Sequence, residues 1–176
     1  MILAHLAMLP AVLRRSVTRW LLRAPAGLYS VSGGWLLGHR FMLLTHRGRR
    51  TGRLYKCVLE VLAWRPDTCE AIVLSGWRSA WYRNVLAGGA VEVAIGHVRF
   101  SAQGRVLDLE EGATVLADYE RRHRIARPLI RRLLSKLTAL PYDGSLSARR
   151  SVIRVLPVVG FRPAQSCARD EQPSIA

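Results

Sequence analysis

Acidic residues are missing from the first third of the sequence: no Asp or Glu precedes Glu60, while ten arginines and lysines occur there. Such a segment sets up a positive field that attracts phosphates, polyanionic cofactor tails, nucleic acid or anionic lipid headgroups alike. Lysine is scarce too. Lys56 and Lys136 are the only lysines among 27 basic residues, so the net charge of +15 is an arginine charge, which a high-GC coding bias explains as well as function does. Cysteine is limited to Cys57, Cys69 and Cys167, an odd number without CxxC or zinc spacing. That excludes a disulfide framework and suits a reducing cytoplasm. The histidines, His5, His39, His46, His97 and His123, form no ligand pair, so no metal is expected. No stretch reaches the roughly 20 apolar residues of a spanning helix; the uncharged run from Ala24 to Gly38 is shorter and holds Pro25 and four glycines. The apolar start, Ile2 to Leu13, is followed instead of preceded by arginines and has no small-residue cleavage site, so it is not read as a signal peptide. The dinucleotide and P-loop fingerprints are absent, as is any visible hydrolytic triad.

What remains is a chain of 176 residues, half of them apolar, which is the size of one ordinary domain with a real core. Leu6, Leu9, Leu13, Val17, Trp20 and Leu21 recur at spacings of three and four, with Arg14, Arg15, Arg19 and Arg23 largely off the stripe, and predict an amphipathic helix. It packs on the body of the protein or on a partner subunit in a homodimer, or else lies on an anionic membrane surface. From Phe41 the pattern changes to strand, turn at Gly48–Gly52, and a nearly continuously apolar return strand from Tyr55 to Trp64, as if covered on both faces. A third strand is expected over Glu70 to Ser75, then a short helix capped by Ser79 and stopped by Gly88 and Gly89, then a strand from Ala90 to Ile95. In the next strand Val98, Phe100, Ala102 and Val106 alternate with Arg99, Ser101, Gln103 and Arg105, one set inward and one to water. Leu109 to Lys136 reads as helix, broken or bent near Pro128, with Leu116, Tyr119, Leu129, Leu133 and Leu137 on the buried side. Ser151 to Val158 is expected as the closing strand. The whole is a mainly β α+β fold of about six strands in a small barrel. An N-terminal helical segment occupies 1–38, the barrel 39–162 and a loose tail 163–176.

Two clusters carry the chemistry. Gly48-Arg49-Arg50-Thr51-Gly52 combines a turn, two guanidiniums and a hydroxyl, which makes a competent phosphate cradle; a solvated basic hairpin is the alternative. Ser75-Gly76-Trp77-Arg78 leads into Trp81 and Asn84. A strand ending in Ser-Gly lets backbone approach a planar ligand, and the tryptophans wall or stack on it, unless Trp81 only anchors the helix. Asn84 either donates to a ligand or ties down the neighbouring loop.

These two clusters, with Leu43 to Arg53, Ser75 to Trp77, Trp81 to Asn84 and Val91 to Val93 in this order, resemble the deazaflavin-dependent nitroreductase and quinone-reductase family of actinobacteria, built on a split β-barrel. The resemblance covers roughly residues 35 to 137. It implies that reduced coenzyme F420 donates a hydride to an electron-poor organic acceptor, quinone-like, nitroaromatic or unsaturated. It also implies that Arg49, Arg50 and Thr51 hold the cofactor phosphate, that Ser75 and Gly76 border the ring, that Trp81 and Asn84 shape the pocket, and that Arg78 supplies a charge. Tyr119 is then a candidate proton donor, or else core packing. Two other readings stay open beside it: an FMN-dependent oxidoreductase, and a non-catalytic barrel that carries a hydrophobic or tetrapyrrole ligand. Nucleic-acid binding has charge as its sole support, because the aromatics do not interleave with basic residues along one strand, and is not expected.

Overall fold

A computed structural model describes residues 39–76 and 79–164. The expected N-terminal helix, Trp77, Arg78 and most of the expected tail lie outside the described residues. Among those described, no helix is long and apolar enough to cross a membrane.

Six antiparallel strands close into a split β-barrel in the order β1 (Phe41–Arg47), β2 (Leu54–Arg65), β3 (Glu70–Leu74), β6 (Val158–Pro163), β5 (Val98–Val106) and β4 (Val91–Ile95), which returns to β1. The period of two dictates the interior. On β1, Met42 and Leu44 are wholly buried and His46 nearly so. The β1–β2 hairpin pairs Phe41 with Glu60 through to Arg47 with Leu54, so the basic turn closes its far end. A register shift in the pairing with β3, between Val61 and Ala63, bends β2 and lets one strand serve two neighbours. Inside the barrel these faces meet Val73, Val93, Ile95 and Phe161.

Among the described residues, four α-helices pack with the barrel. α1 (Ala80–Leu86) sends Trp81 and Val85 into the barrel core. α2 (Leu109–Arg122) and α4 (Leu146–Val155) cover the outside of the sheet with Ala113, Val115, Tyr119 and Ile153 over Leu62, Ile72 and Val158. α3 (Arg127–Thr138) joins them through Leu134, which packs with Leu116, Tyr142, Val152 and Leu156.

Several expectations need correction. Residues 151–155 are helix, and the closing strand is Val158–Pro163. The Ser145 hydroxyl caps α4 by accepting the Ala148 N–H at 3.2 Å. Val152, Ile153 and Leu156 then form a helical face, whose spacing of one and four was mistaken for a strand. The stretch from Leu109 to Lys136 is two helices separated at residues 123–126, with Pro128 in the first turn of α3, where its missing N–H costs nothing. Leu116 and Tyr119 are buried as expected, but Leu129, Leu133 and Leu137 are exposed, because α3 rests on α2 and α4 by its opposite face. The first residues of β2 are also uncovered, Leu54 and Tyr55 among them. On β5, Val98 and Val106 are exposed while Arg105 is half-buried. Ser79 stands at the start of α1 but its hydroxyl donates to the Gly76 carbonyl at 2.6 Å and accepts no helix N–H.

Arg105 is drawn in by charge. The fully buried carboxylate of Glu70 on β3 accepts from Arg65 of β2 at 2.9 Å, Arg105 of β5 at 2.7 Å and Arg162 of β6 at 2.9 Å. Glu111 of α2 shares Arg65 and Arg105 at 2.8 and 2.7 Å. Gly160 makes room for this carboxylate, since a Cβ there would collide with its Oε1. Burial raises the Glu70 pKa, but the hydrogen bonds and charges of Arg105 and Arg162 outweigh it and leave it below the usual range. The Arg105 hydrogen bond, against partial burial and with help from Arg65, holds Glu111 at about 2. Folded pKa values below the unfolded ones mean stability that is present above about pH 4.5 and lost as pH falls toward about 2. Arg105→Met should therefore lower the unfolding free energy by about 3 kcal/mol at neutral pH. It should also flatten the acid limb of stability against pH in urea titrations; an unchanged acid limb would refute this account of the network.

A cavity at the basic turn

At the end of the barrel where β1 passes into β2, the inward stripe of β1 ends in a polar residue. His46 follows Met42 and Leu44 on the same face, and its cross-strand partner is Tyr55, stacked on the imidazole with ring centroids 5.9 Å apart. On β2 the inward face continues from Tyr55 to Cys57. α1 lies across this end. A cavity of about 320 Å³ opens between them, walled by Tyr55, Cys57 and Trp81 and bounded by Arg49, Arg50 and Thr51.

The turn is held from both sides. Within it, the Gly48 N–H donates to the Arg53 carbonyl and the Gly52 N–H to the Gly48 carbonyl, both at 2.8 Å, while Arg47 Nη1 donates to the Gly52 carbonyl at 2.6 Å. Gly52 takes φ +65°, a conformation that suits glycine. Gly48 is required for a different reason: a Cβ would stand 2.7 Å from both Thr51 Oγ1 and the Tyr55 ring. The Thr51 and Tyr55 hydroxyls are themselves hydrogen-bonded at 3.1 Å. From α1, the buried Asn84 accepts the Arg49 N–H at 3.2 Å and Arg49 Nη1 at 3.1 Å on the same Oδ1, and its Nδ2 donates to His46 Nδ1 at 3.1 Å. Of the two roles open to Asn84, tying down the loop is the one its contacts occupy.

The cradle is narrower than the sequence suggested. The amides of Gly48, Arg49, Gly52 and Arg53 are spent inside the protein, the last on Thr51 Oγ1 at 3.4 Å. The tip amides of Arg50 and Thr51 and the exposed Arg50 guanidinium are what the turn presents outward.

The other candidate residues separate. Trp81 is both wall and anchor: it lines the cavity and packs on Phe161 with centroids 6.0 Å apart. Ser75 is buried beyond the end of β3, with its N–H on the Pro157 carbonyl at 2.8 Å and its hydroxyl 3.1 Å from that of Ser79. Neither it nor Gly76 lines the cavity. Tyr119 is in the outer layer and donates its hydroxyl to Glu60 at 2.8 Å; burial, then the Glu60 charge, raises its pKa. Sequence reasoning passed over His46, Tyr55 and Cys57, although continuing the period-two faces of β1 and β2 to the turn would have found them.

Electrostatically the cavity keeps its lining neutral beneath a cationic rim. Burial lowers the His46 pKa, with the Arg47 carbonyl opposing it in part. Burial pushes the Cys57 thiol up to about 12, so it stays protonated.

The family model described as F420H(2)-dependent quinone reductase matches residues 20–124, more than half of the sequence, and the chain belongs to that family. Membership makes it an oxidoreductase whose cofactor is F420. No curated protein matches it. Among solved structures it is similar to Atu2129 of Agrobacterium tumefaciens, of unknown function, with 12% identity and a TM-score of 0.49 over 74% of this chain and 51% of that one. This chain thus spans about half of the Agrobacterium protein. It is also similar to the F420-H2 dependent reductase FDR-A, with 15% identity and a TM-score of 0.46 over 72% of this chain and 96% of that one. A third similarity is to the heme storage protein HutZ of Vibrio cholerae, with 12% identity and a TM-score of 0.48 over 78% and 89%.

The neutral burial of His46 has a measurable sign. With its folded pKa below the ordinary 6.5 of a histidine, the unfolded chain takes up more protons as pH falls below that value, so stability is present above it and lost on acidification. His46→Gln should flatten the dependence of the urea midpoint on pH between about 7 and 5; a variant as pH-sensitive as the parent would contradict this.

Proposed function

We propose that the cavity beside the Gly48–Gly52 turn holds reduced F420, and that the chain passes hydride to an electron-poor organic acceptor, quinone-like, nitroaromatic or unsaturated. The observation that supports this most is that phosphate-competent groups and aromatic walls bound one cavity: Arg49, Arg50 and Thr51 meet Tyr55 and Trp81 there. A planar cofactor with a phosphate tail asks for that combination.

In this reading the cofactor supplies the hydride chemistry, and the residues of the chain bind, orient and exclude water. The Arg50 guanidinium and the Arg50 and Thr51 amides hold phosphate, a charge-assisted contact that suits a planar fork of donors. Arg49 contributes positive charge from a fixed place, because Asn84 grips both its amide and its guanidinium. Gly48 and Gly52 keep the turn in the shape that exposes its tip. Trp81 and Tyr55 supply the apolar walls. The protonated Cys57 and neutral His46 leave the interior without a negative charge that would oppose hydride arriving at an electron-poor acceptor. Ser75 and Gly76 do not line the cavity and act on it through Ser79, which they hold at the start of α1. Tyr119 stays with Glu60, and no proton transfer is assigned to it.

Titration of the protein with oxidised F420 and, in parallel, with FMN, followed by ligand fluorescence, tests the reading. F420 should bind at micromolar or lower concentration and FMN more weakly. Arg50→Glu should weaken F420 by about tenfold to a hundredfold, the scale of one lost charge-assisted contact. Parent-like affinity in that variant would remove the turn from the binding site, and a preference for FMN would replace the cofactor in this proposal.

A further inference from the structure

α3 carries an apolar stripe that nothing in the described structure covers. Leu129, Leu133 and Leu137, one turn apart, are 48%, 54% and 57% exposed, and Ile125 just ahead of the helix is fully exposed. The helix is nonetheless anchored, since Leu134 and Ile130 on its other side join the outer core. Its leucines are therefore presented, not merely left over from a detached segment.

Charge identifies what fits them. From Arg121 to Leu140 the sequence has seven arginines and lysines and no acidic residue. Arg131 turns inward to Glu120, whereas Arg124, Arg127, Arg132 and Lys136 are exposed around the stripe. A second copy docked symmetrically would set Arg124, Arg127, Arg132 and Lys136 against the same four cations. The first 38 residues hold four arginines and no acidic residue, so they offer this face no opposite charge. An anionic bilayer offers both the opposite charge and an apolar boundary for the leucines.

The path of the chain agrees. His39 stacks on Trp64, with centroids 5.4 Å apart, and Arg40 lies 3.7 Å from Glu60. Glu60 accepts the Tyr119 hydroxyl, and the Tyr119 ring lies 4.5 Å from that of His123, two residues before Ile125. His39 and Arg40, the first described residues, thus connect through Glu60 and Tyr119 to the α2–α3 junction.

We propose that α3 docks this protein on an anionic lipid surface, with Leu129, Leu133 and Leu137 at the acyl boundary and Arg124, Arg127, Arg132 and Lys136 among the headgroups. Co-sedimentation of the full chain with phosphatidylcholine vesicles, with and without about 30 mol% phosphatidylglycerol, tests it. The protein should pellet with the anionic vesicles, stay in solution with phosphatidylcholine alone, and be released as salt rises. The combined Leu129→Ser, Leu133→Ser and Leu137→Ser variant should bind anionic vesicles at least about tenfold more weakly. Arg132→Glu with Lys136→Glu should weaken binding comparably, and both variants should keep the circular dichroism and F420 affinity of the parent. Wild-type protein that ignores anionic vesicles would overturn the proposal, as would parent-like vesicle binding by either variant. A fall in oligomeric state in the serine variant would assign the stripe to a second copy and overturn it as well.

Discussion

A carboxylate sealed from water is the constraint around which this barrel closes. Glu70 sits at the start of β3, and the guanidiniums that neutralise it arrive from β2, β5 and β6. Removing such a charge from water is costly unless every lone pair is met, so the site has value only when all the strands are in register. Glu111 extends the requirement to α2, because it draws on two of the same arginines. One interaction thus fixes four strands and the covering helix relative to one another. The small residue at position 160 is part of it, since the carboxylate occupies the volume of the missing side chain.

The cavity is at the other end of β2 and obeys a different rule. At Glu70 the arginines are consumed by acids; at the Gly48–Gly52 turn no acid is near in sequence, and the positive charge is left for a ligand. The absence of Asp and Glu before Glu60 therefore describes a division of labour among arginines. Those that follow Glu60 include the ones that close the fold, while those that precede it include Arg49 and Arg50, which line the cavity.

Much of this arrangement was legible because it is local. The β1 strand, its turn and β2 follow from a change of period bracketed by glycines, and α1 from Ser79 and the glycines behind it. The closing strand was not legible, since Val152 to Val158 is apolar enough for either structure and only the Ser145 cap and the packing on α2 decide it. The three α3 leucines were misplaced because periodicity gives a helix an apolar face without saying whether anything lies against it. At the cavity, the turn residues and Trp81 could be named from sequence, but the bond from Asn84 to Arg49 spans 35 residues and has no local signature. Tyr119 shows the converse: a tyrosine in a plausible place whose hydroxyl is engaged by Glu60 in another layer.

Asn84 also settles where a proton resides. Its Oδ1 receives two donors from Arg49, so the amide cannot be turned around without facing N–H against N–H. Nδ2 must then point at His46 Nδ1, which has to be the unprotonated nitrogen, and the single proton of the neutral ring is confined to Nε2. A side chain on the rim of the turn thereby selects the tautomer of an imidazole in the barrel wall. Whatever loosens Arg49 from Asn84 frees the amide to rotate, and the ring to exchange the donor it holds for an acceptor.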